Sequence, residues 1–400
     1  MRPIRMRTLV VLGALVTSLP FLASGGSPAR AEQARPPQYH VSQLGSLGGT
    51  TSAGNSINDR GWIAGTSNLA GDATVHASLW RDGAPTDLGT LGTLAGLNSA
   101  VLWPVKNNAG MIAGVSETNK VQPLGEAWSC SFFFPSATGH TCLGFIWQRG
   151  VMRPLPTLGG DNGFATGVNQ RGQIVGWAEN TVHDPTCNLP QVLQFRAVRW
   201  DTLHGNQAHE LPPLPHDTVS AATAINDRDQ VVGISGICAN AVGGYSAAHA
   251  VLWTHGVPTK LGSLGGKAWN TPMAINDQGE VVGFANVRGG DPGAFNAHAF
   301  LWTKQGGMQD LGTLGRRDVF SQALGINEQG QVVGESCTVD FSCRAFLWEN
   351  GVMTNLKELA PSYGGEFVFA NDINDGGEIT GGAIDSETGD AVAFRATPNR

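Results

Sequence analysis

Apolar and polar residues alternate in short runs punctuated by glycine along most of the chain, as in Gln331-Val-Val-Gly334. Runs this short, with a period of two, predict β-strands and not helices. One phrase, I-N-D-x-G-x-V-V-G, recurs in seven copies, the first beginning at Ile57-Asn58-Asp59. Its asparagines are Asn58, Asn107, Asn169, Asn226, Asn276, Asn327 and Asn374, spaced 47 to 62 residues apart. A glycine follows each by seven positions: Gly65, Gly114, Gly176, Gly233, Gly283, Gly334 and Gly381. A repeat near fifty residues suits a four-stranded propeller blade.

Each unit reads as four strands. Strand a carries small residues before the asparagine, as in Thr271-Pro-Met-Ala-Ile-Asn276, and strand b is the alternating run after it. Strand c is apolar and ends in tryptophan, as in His298-Ala-Phe-Leu-Trp302; strand d ends in Leu-Gly, as in Met308-Gln-Asp-Leu-Gly312. The asparagine between a and b is a turn residue, its side chain able to accept from the backbone two positions on. The glycine three positions later takes a positive φ; in unit four that place holds Asp229, one of the few other residues that tolerate it. The asparagines are therefore read as structural turns. Trp80, Trp147, Trp200, Trp253, Trp302 and Trp348, with Phe394 as the seventh, close strand c and read as core between blades.

The chain begins with a lone d-type strand, Tyr39 to Gly45, and ends after a c-type strand, Ala391 to Phe394. Pairing the two would complete the last blade and remove both sheet edges. The expected fold is all-β: one seven-bladed propeller over 37–397, four antiparallel strands per blade, closed by the N-terminal strand.

Composition agrees. With 55 glycines and only 14% charged residues, a long helical protein is excluded, and 41% hydrophobic residues are enough for a packed core. Residues 1–31 read as a cleaved signal peptide: Arg2, Arg5 and Arg7, then the apolar run Leu9 to Leu22, then Ala29-Arg30-Ala31. That run is shorter than the ~20 residues a bilayer span needs, and residues 32–36 read as a disordered linker. Without the signal, 21 basic residues face 32 acidic ones, a net charge of −11, so neither nucleic acid nor an anionic membrane is an expected partner. The predicted place is extracellular or periplasmic, with no transmembrane segment in the mature chain, which is expected to be monomeric.

The tripeptide His298-Ala299-Phe300, set between Ile275-Asn276-Asp277 and Leu311-Gly312, resembles the bacterial HAF-repeat family of extracellular repeat proteins, and the seven in-phase copies extend the resemblance over nearly the whole mature chain. The resemblance implies an exported repeat protein and assigns no activity. Units three and six replace the histidine with Arg196 and Arg344, unit two with Leu143 and unit seven with Asp390, which argues against a shared catalytic histidine.

All six cysteines are read as falling in the b–c connections, whose lengths vary most, while the a–b turns are short and uniform. Six cysteines allow many pairings; their positions favour Cys130 with Cys142, Cys337 with Cys343, and Cys187 with Cys238 across units three and four. The unit-two loop, 126–135, gathers Trp128, Phe132, Phe133 and Phe134. These rings are either a satellite core or an apolar contact for a partner, and with Trp177 and Trp269 they are the candidate binding residues. No G-x-S-x-G, H-E-x-x-H or P-loop pattern is present, and no cofactor or metal motif. Asp161, Asp217 and Asp318 follow d strands near the expected channel mouth, without the D-x-D-x-D-G run that calcium binding favours. His76, His249 and His298 share one strand-c position and read as structural. The expected function is a non-catalytic binding or scaffold protein whose cysteine-bearing rim meets a protein or carbohydrate; the alternative is a hydrolase or lyase with its site at the channel mouth.

Overall fold

Strands a to d of each repeat pair in sequence order as an antiparallel sheet, as in unit three (Gly159–Val168, Gln173–His183, Leu193–Asp201, Ala208–Leu211) and unit five (Thr271–Ile275, Val281–Asn286, Ala297–Thr303, Gly307–Gly312). The computed structural model describes residues 38–399, except 106, 127, 135, 203, 204, 206, 240–242 and 290–293, and leaves out the side chains of residues 128 and 129. The expected signal and linker, 1–36, lie outside the described residues. Residues Pro37–Arg400 group as one compact unit.

Units two to six each form a separate four-stranded sheet. Unit seven (Glu366–Ile373, Ile379–Ile384, Ala391–Pro398) takes its fourth strand from the start of the chain: Tyr39–Gln43 pairs antiparallel with Ala391–Pro398, Tyr39 opposite Pro398. A single parallel bridge, Thr51 to Ala391, joins this sheet to unit one, giving eight strands in all. Among the described residues no sheet closes on itself. Among the described residues the helical elements include Trp128–Phe133, Leu356–Leu359 and a 3-10 turn at Gly244–Ala247, and none is long and apolar enough to cross a membrane.

The glycine seven places after each asparagine has a steric cause. A Cβ at Gly233 would lie 2.0 Å from the Ala221 carbonyl oxygen of strand a, and the other six positions meet the same obstacle at 1.9–2.2 Å. No side chain fits there, because strand a is bulged beside it, as at Ala222/Ala224 and Ala323/Gly325. The turn follows local chemistry as well. Asn226 Oδ1 accepts from the backbone N–H of Arg228 and of Gln230, both at 3.0 Å. The residue three places after each asparagine has φ between 60° and 81°, Asp229 included. The aspartate is held by Arg199, whose Nη1 lies 2.8 Å from each carboxylate oxygen.

The core lies between neighbouring sheets. Ala274, Val282 and Ala299 of unit five pack on Ala323, Ile326 and Phe346 of unit six, and Val175 and Ala197 of unit three on Ile225 and Trp253 of unit four. Trp80, Trp200 and Trp253 are buried, and each donates its indole N–H to the carbonyl of the preceding d–a connection, at Gly45, Pro156 and Pro212. These rings fill the inter-sheet space and satisfy their one donor, whereas Trp302 and Trp348 are only partly buried.

The asparagines join the units. Nδ2 of Asn58 donates to the carbonyl of Asn107, Asn107 to Asn169, Asn169 to Asn226, Asn226 to Asn276, Asn276 to Asn327, Asn327 to Asn374, and Asn374 back to Asn58, all at 2.7–3.2 Å. Each asparagine thus closes its own turn with its carbonyl oxygen and reaches the next unit with its amide nitrogen. Alanine or aspartate could do at most one of these.

Candidate functional site

A second circuit runs through the residues that follow the asparagines. The backbone N–H of Asp59 donates to the side chain of Asn108, Asn108 to Gln170, Gln170 to Asp227, Asp227 to Asp277, Asp277 to Glu328, Glu328 to Asp375, and Asp375 back to Asp59, at 2.7–3.1 Å. These seven side chains, five of them carboxylates, surround a cavity of about 250 Å³ floored by Ile57, Val168, Ile225, Ile275 and Ile326. Burial, together with the neighbouring Asp277 charge, raises the pKa of Asp227 above the ordinary aspartate value. No histidine, cysteine, serine or basic residue lines the cavity among the described residues. Its chemistry is that of a negatively charged mouth over an apolar floor.

The turn signature of this stretch gives no prominence to the position after the asparagine. A signal was present, since five of the seven copies carry an acid there, but convergence on one cavity is a property of the assembled sheets. Four small residues of strand a, Ala165, Ala222, Ala323 and Ala370, take no part in the cavity and are buried where the sheets pack.

The opposite ends of the sheets carry the disulfides, which join Cys130 to Cys142, Cys187 to Cys238 and Cys337 to Cys343. The second links the b–c connections of units three and four. Glu126 adds a link from unit two: its Oε1 accepts from the backbone N–H of Val192 (3.1 Å) and of Leu193 (2.9 Å). Beside it Glu179 accepts from Gln191, Asn162 and the Asp161 N–H. Burial first, and the Glu126 charge second, push Glu179 up to about 7. In unit six burial likewise pushes Glu335 up to about 7, although Gln322 donates to it at 2.8 Å. Glu335 also lies close to the sulfurs of Cys337 and Cys343, but that pair is a disulfide and offers no thiolate.

The predicted binding residues divide by exposure. Phe134 and Trp177 are buried, in one cluster with Trp103 and Phe164, where Trp177 stacks on Phe164 with centroids 4.5 Å apart. Their rings present no surface to a partner, because apolar contacts with Phe133 and Trp103 are worth more to the loop than exposure. The satellite core is thus the role of these two. Phe133 is half-buried against the same cluster, and Phe132 is 60% exposed. The side chain of Trp128 lies outside the described residues. Trp269 is far from that loop in sequence and belongs to a second aromatic run, with Phe295, Phe284, Phe320 and Phe341.

The strand-c histidines are paired. Nδ1 of His76 lies 2.9 Å from Asp87, that of His249 2.8 Å from Asp217, and that of His298 3.0 Å from Asp310. Burial works against ionisation of these aspartates, but the histidine bonds outweigh it and hold all three pKa values below the ordinary range. In unit six Arg344 takes the histidine's place and pairs with Asp318. Asp161 pairs with Lys120. The three aspartates considered for calcium are thus each engaged by a side chain of the protein itself, Lys120, His249 and Arg344.

No family model matches the chain, and no curated protein matches it in sequence. Among solved structures it is similar to an oligogalacturonate lyase in complex with manganese (10% identity, TM-score 0.48, covering 91% of this chain and 97% of that one). It is also similar to the PQQ-bound aldose sugar dehydrogenase of Streptomyces coelicolor (11%, 0.38, 91% and 99%) and to AofleA of Arthrobotrys oligospora (10%, 0.32, 90% and 85%).

Proposed function

We propose that this chain is an exported, non-catalytic seven-bladed β-propeller of the HAF-repeat kind, closed by its N-terminal strand, that presents its disulfide-braced loop side to a protein or carbohydrate partner. Seven repeats, the strand Tyr39–Gln43 seated in the last sheet and the hydrogen bond from Asn374 back to Asn58 support the closed wheel. Three disulfides support an oxidising compartment and hence export. The observation that carries the binding role is the asymmetry of the two sides. The asparagine turns are uniform and bonded to one another, whereas the loops opposite them vary in length, are covalently braced and expose Phe132, Val339 and Phe341 at 60%, 76% and 74%. Irregular loops on a rigid scaffold are where recognition usually resides.

Glycan and protein arrays probed with the wild-type chain and with Phe132→Ser, Phe341→Ser and Asp277→Asn test this. Loss of a bound partner in either phenylalanine variant, with Asp277→Asn unaffected, supports the loop side; loss in Asp277→Asn alone overturns it. A second reading, a hydrolase or lyase at the channel mouth, rests on the cavity ringed by carboxylates, one of which, Asp227, holds its proton more readily than an ordinary aspartate.

A further inference from the structure

The loop side is not electrically uniform. The protein is acidic overall, at −7, yet Lys267, Arg288, Arg316 and Arg317 are all exposed on connections of units five and six. None of these four has an ion pair among the described residues. They lie as two pairs along one sector. Arg288 packs on Gly265, two residues before Lys267, while Arg316 and Arg317 precede Asp318, which pairs in register with Thr338, three residues before Phe341. Among the described acids of the same connections, Asp318 is buried and held by Arg344 and Glu335 is half-buried on Gln322, whereas Asp340 stands exposed next to Phe341, accepting from the Thr338 hydroxyl.

Aromatic rings run through this sector. Trp269, Phe295, Phe320 and Phe341 follow one another with centroids 5.2, 5.2 and 5.6 Å apart. Phe320 is the buried link, while Phe341 stands in solvent beside exposed Val339 and Val319. Both Trp269 and Phe341 sit at positive φ, 58° and 61°, a conformation that aromatic residues rarely adopt and that concentrates at ligand clamps.

We propose that the connections of units five and six form a binding surface for an anionic polysaccharide, resting on the reading of the loop side as the recognition side. The exposed Phe341 ring, with half-buried Trp269 and Phe295 behind it, suits the flat faces of sugar rings, and unpaired guanidinium groups suit carboxylate or sulfate substituents, with which they bond in two places at once. An acidic protein would satisfy the cations but gives no reason for a line of rings. A neutral glycan would satisfy the rings but leaves the cations unused.

Affinity electrophoresis of the full chain through gels containing alginate, dextran sulfate, dextran or single-stranded DNA tests this. Retardation by alginate or dextran sulfate, absent with dextran, is the expected result, and which polymer binds more tightly distinguishes carboxylate from sulfate. Arg316→Ser/Arg317→Ser and, separately, Phe341→Ser should each weaken it at least tenfold, with melting temperatures unchanged. Two results overturn the proposal: no retardation by either polymer, or retardation that Phe341→Ser leaves intact and DNA reproduces, which would be charge attraction alone. If these polymers fail while the arrays still find a partner sensitive to Phe132, only the ligand class falls; if both fail, so does the loop-side reading.

Discussion

On the asparagine side, unit joins unit through side-chain amides and backbone groups repeated seven times; on the cysteine side, through one disulfide, a carboxylate and aromatic rings that differ from unit to unit. The first kind of join depends on geometry identical in every copy and so fixes the sequence of the turn. The second depends on a few local contacts and leaves its loops free to change. The contrast teaches where regularity is bound to the fold and where variation is tolerated.

The largest effect should come from the regular half. Gly233→Ala places a methyl group 2.0 Å from the Ala221 oxygen, and a loss above about 4 kcal/mol, seen as a thermal midpoint lowered by about 5 °C or more or as failure to fold, is expected. On the variable half, Cys187→Ser/Cys238→Ser opens a link between residues 51 apart and should cost about 4 kcal/mol by denaturant titration. Asn226→Ala leaves a turn and a neighbouring carbonyl unsatisfied in a buried place, costing about 2–3 kcal/mol. If Asn226→Ala proves neutral, the amide relay does not hold the units and the contrast collapses.

Acidity tests the variable half by another route. Glu179 and Glu335 are raised from 4.5 to about 7, so between those values the folded chain binds more protons than the unfolded one. Stability therefore falls as pH rises through that window. Moving from pH 5.5 to pH 8 should cost about 2 kcal/mol for each group, and Glu179→Gln should remove roughly half of that dependence in melting curves. The smallest effect belongs to Phe341→Ala, which is 74% exposed and should change stability by no more than about 0.5 kcal/mol.

Much of the fold was legible because its causes are local. Asn58, Gly61 and Gly65 each answer to a constraint within one hairpin, and the hydrophobic period announces the strands on either side. Asp229 at a glycine place was legible too, but not the Arg199 that holds it, which arrives from strand c. The cysteine pairs could be anticipated from their loops, but the burial of Phe134 and Trp177 could not. Trp103, which packs against Trp177 and Phe133, comes from another part of unit two, and nothing in its neighbours' spacing announces that contact. The acid-lined mouth was hidden for a further reason. Asp59, Asp227 and Asp375 look like ordinary turn residues one at a time, and become a site only when seven turns face one centre.

The amide relay has no first or last member. A stack of linear repeats leaves an orphan donor at one end and an orphan acceptor at the other, and fraying starts there; a head-to-tail cycle of Asn58 through Asn374 leaves neither. Each amide of the relay donates in the same sense, so loosening one turn disturbs both of its neighbours at once.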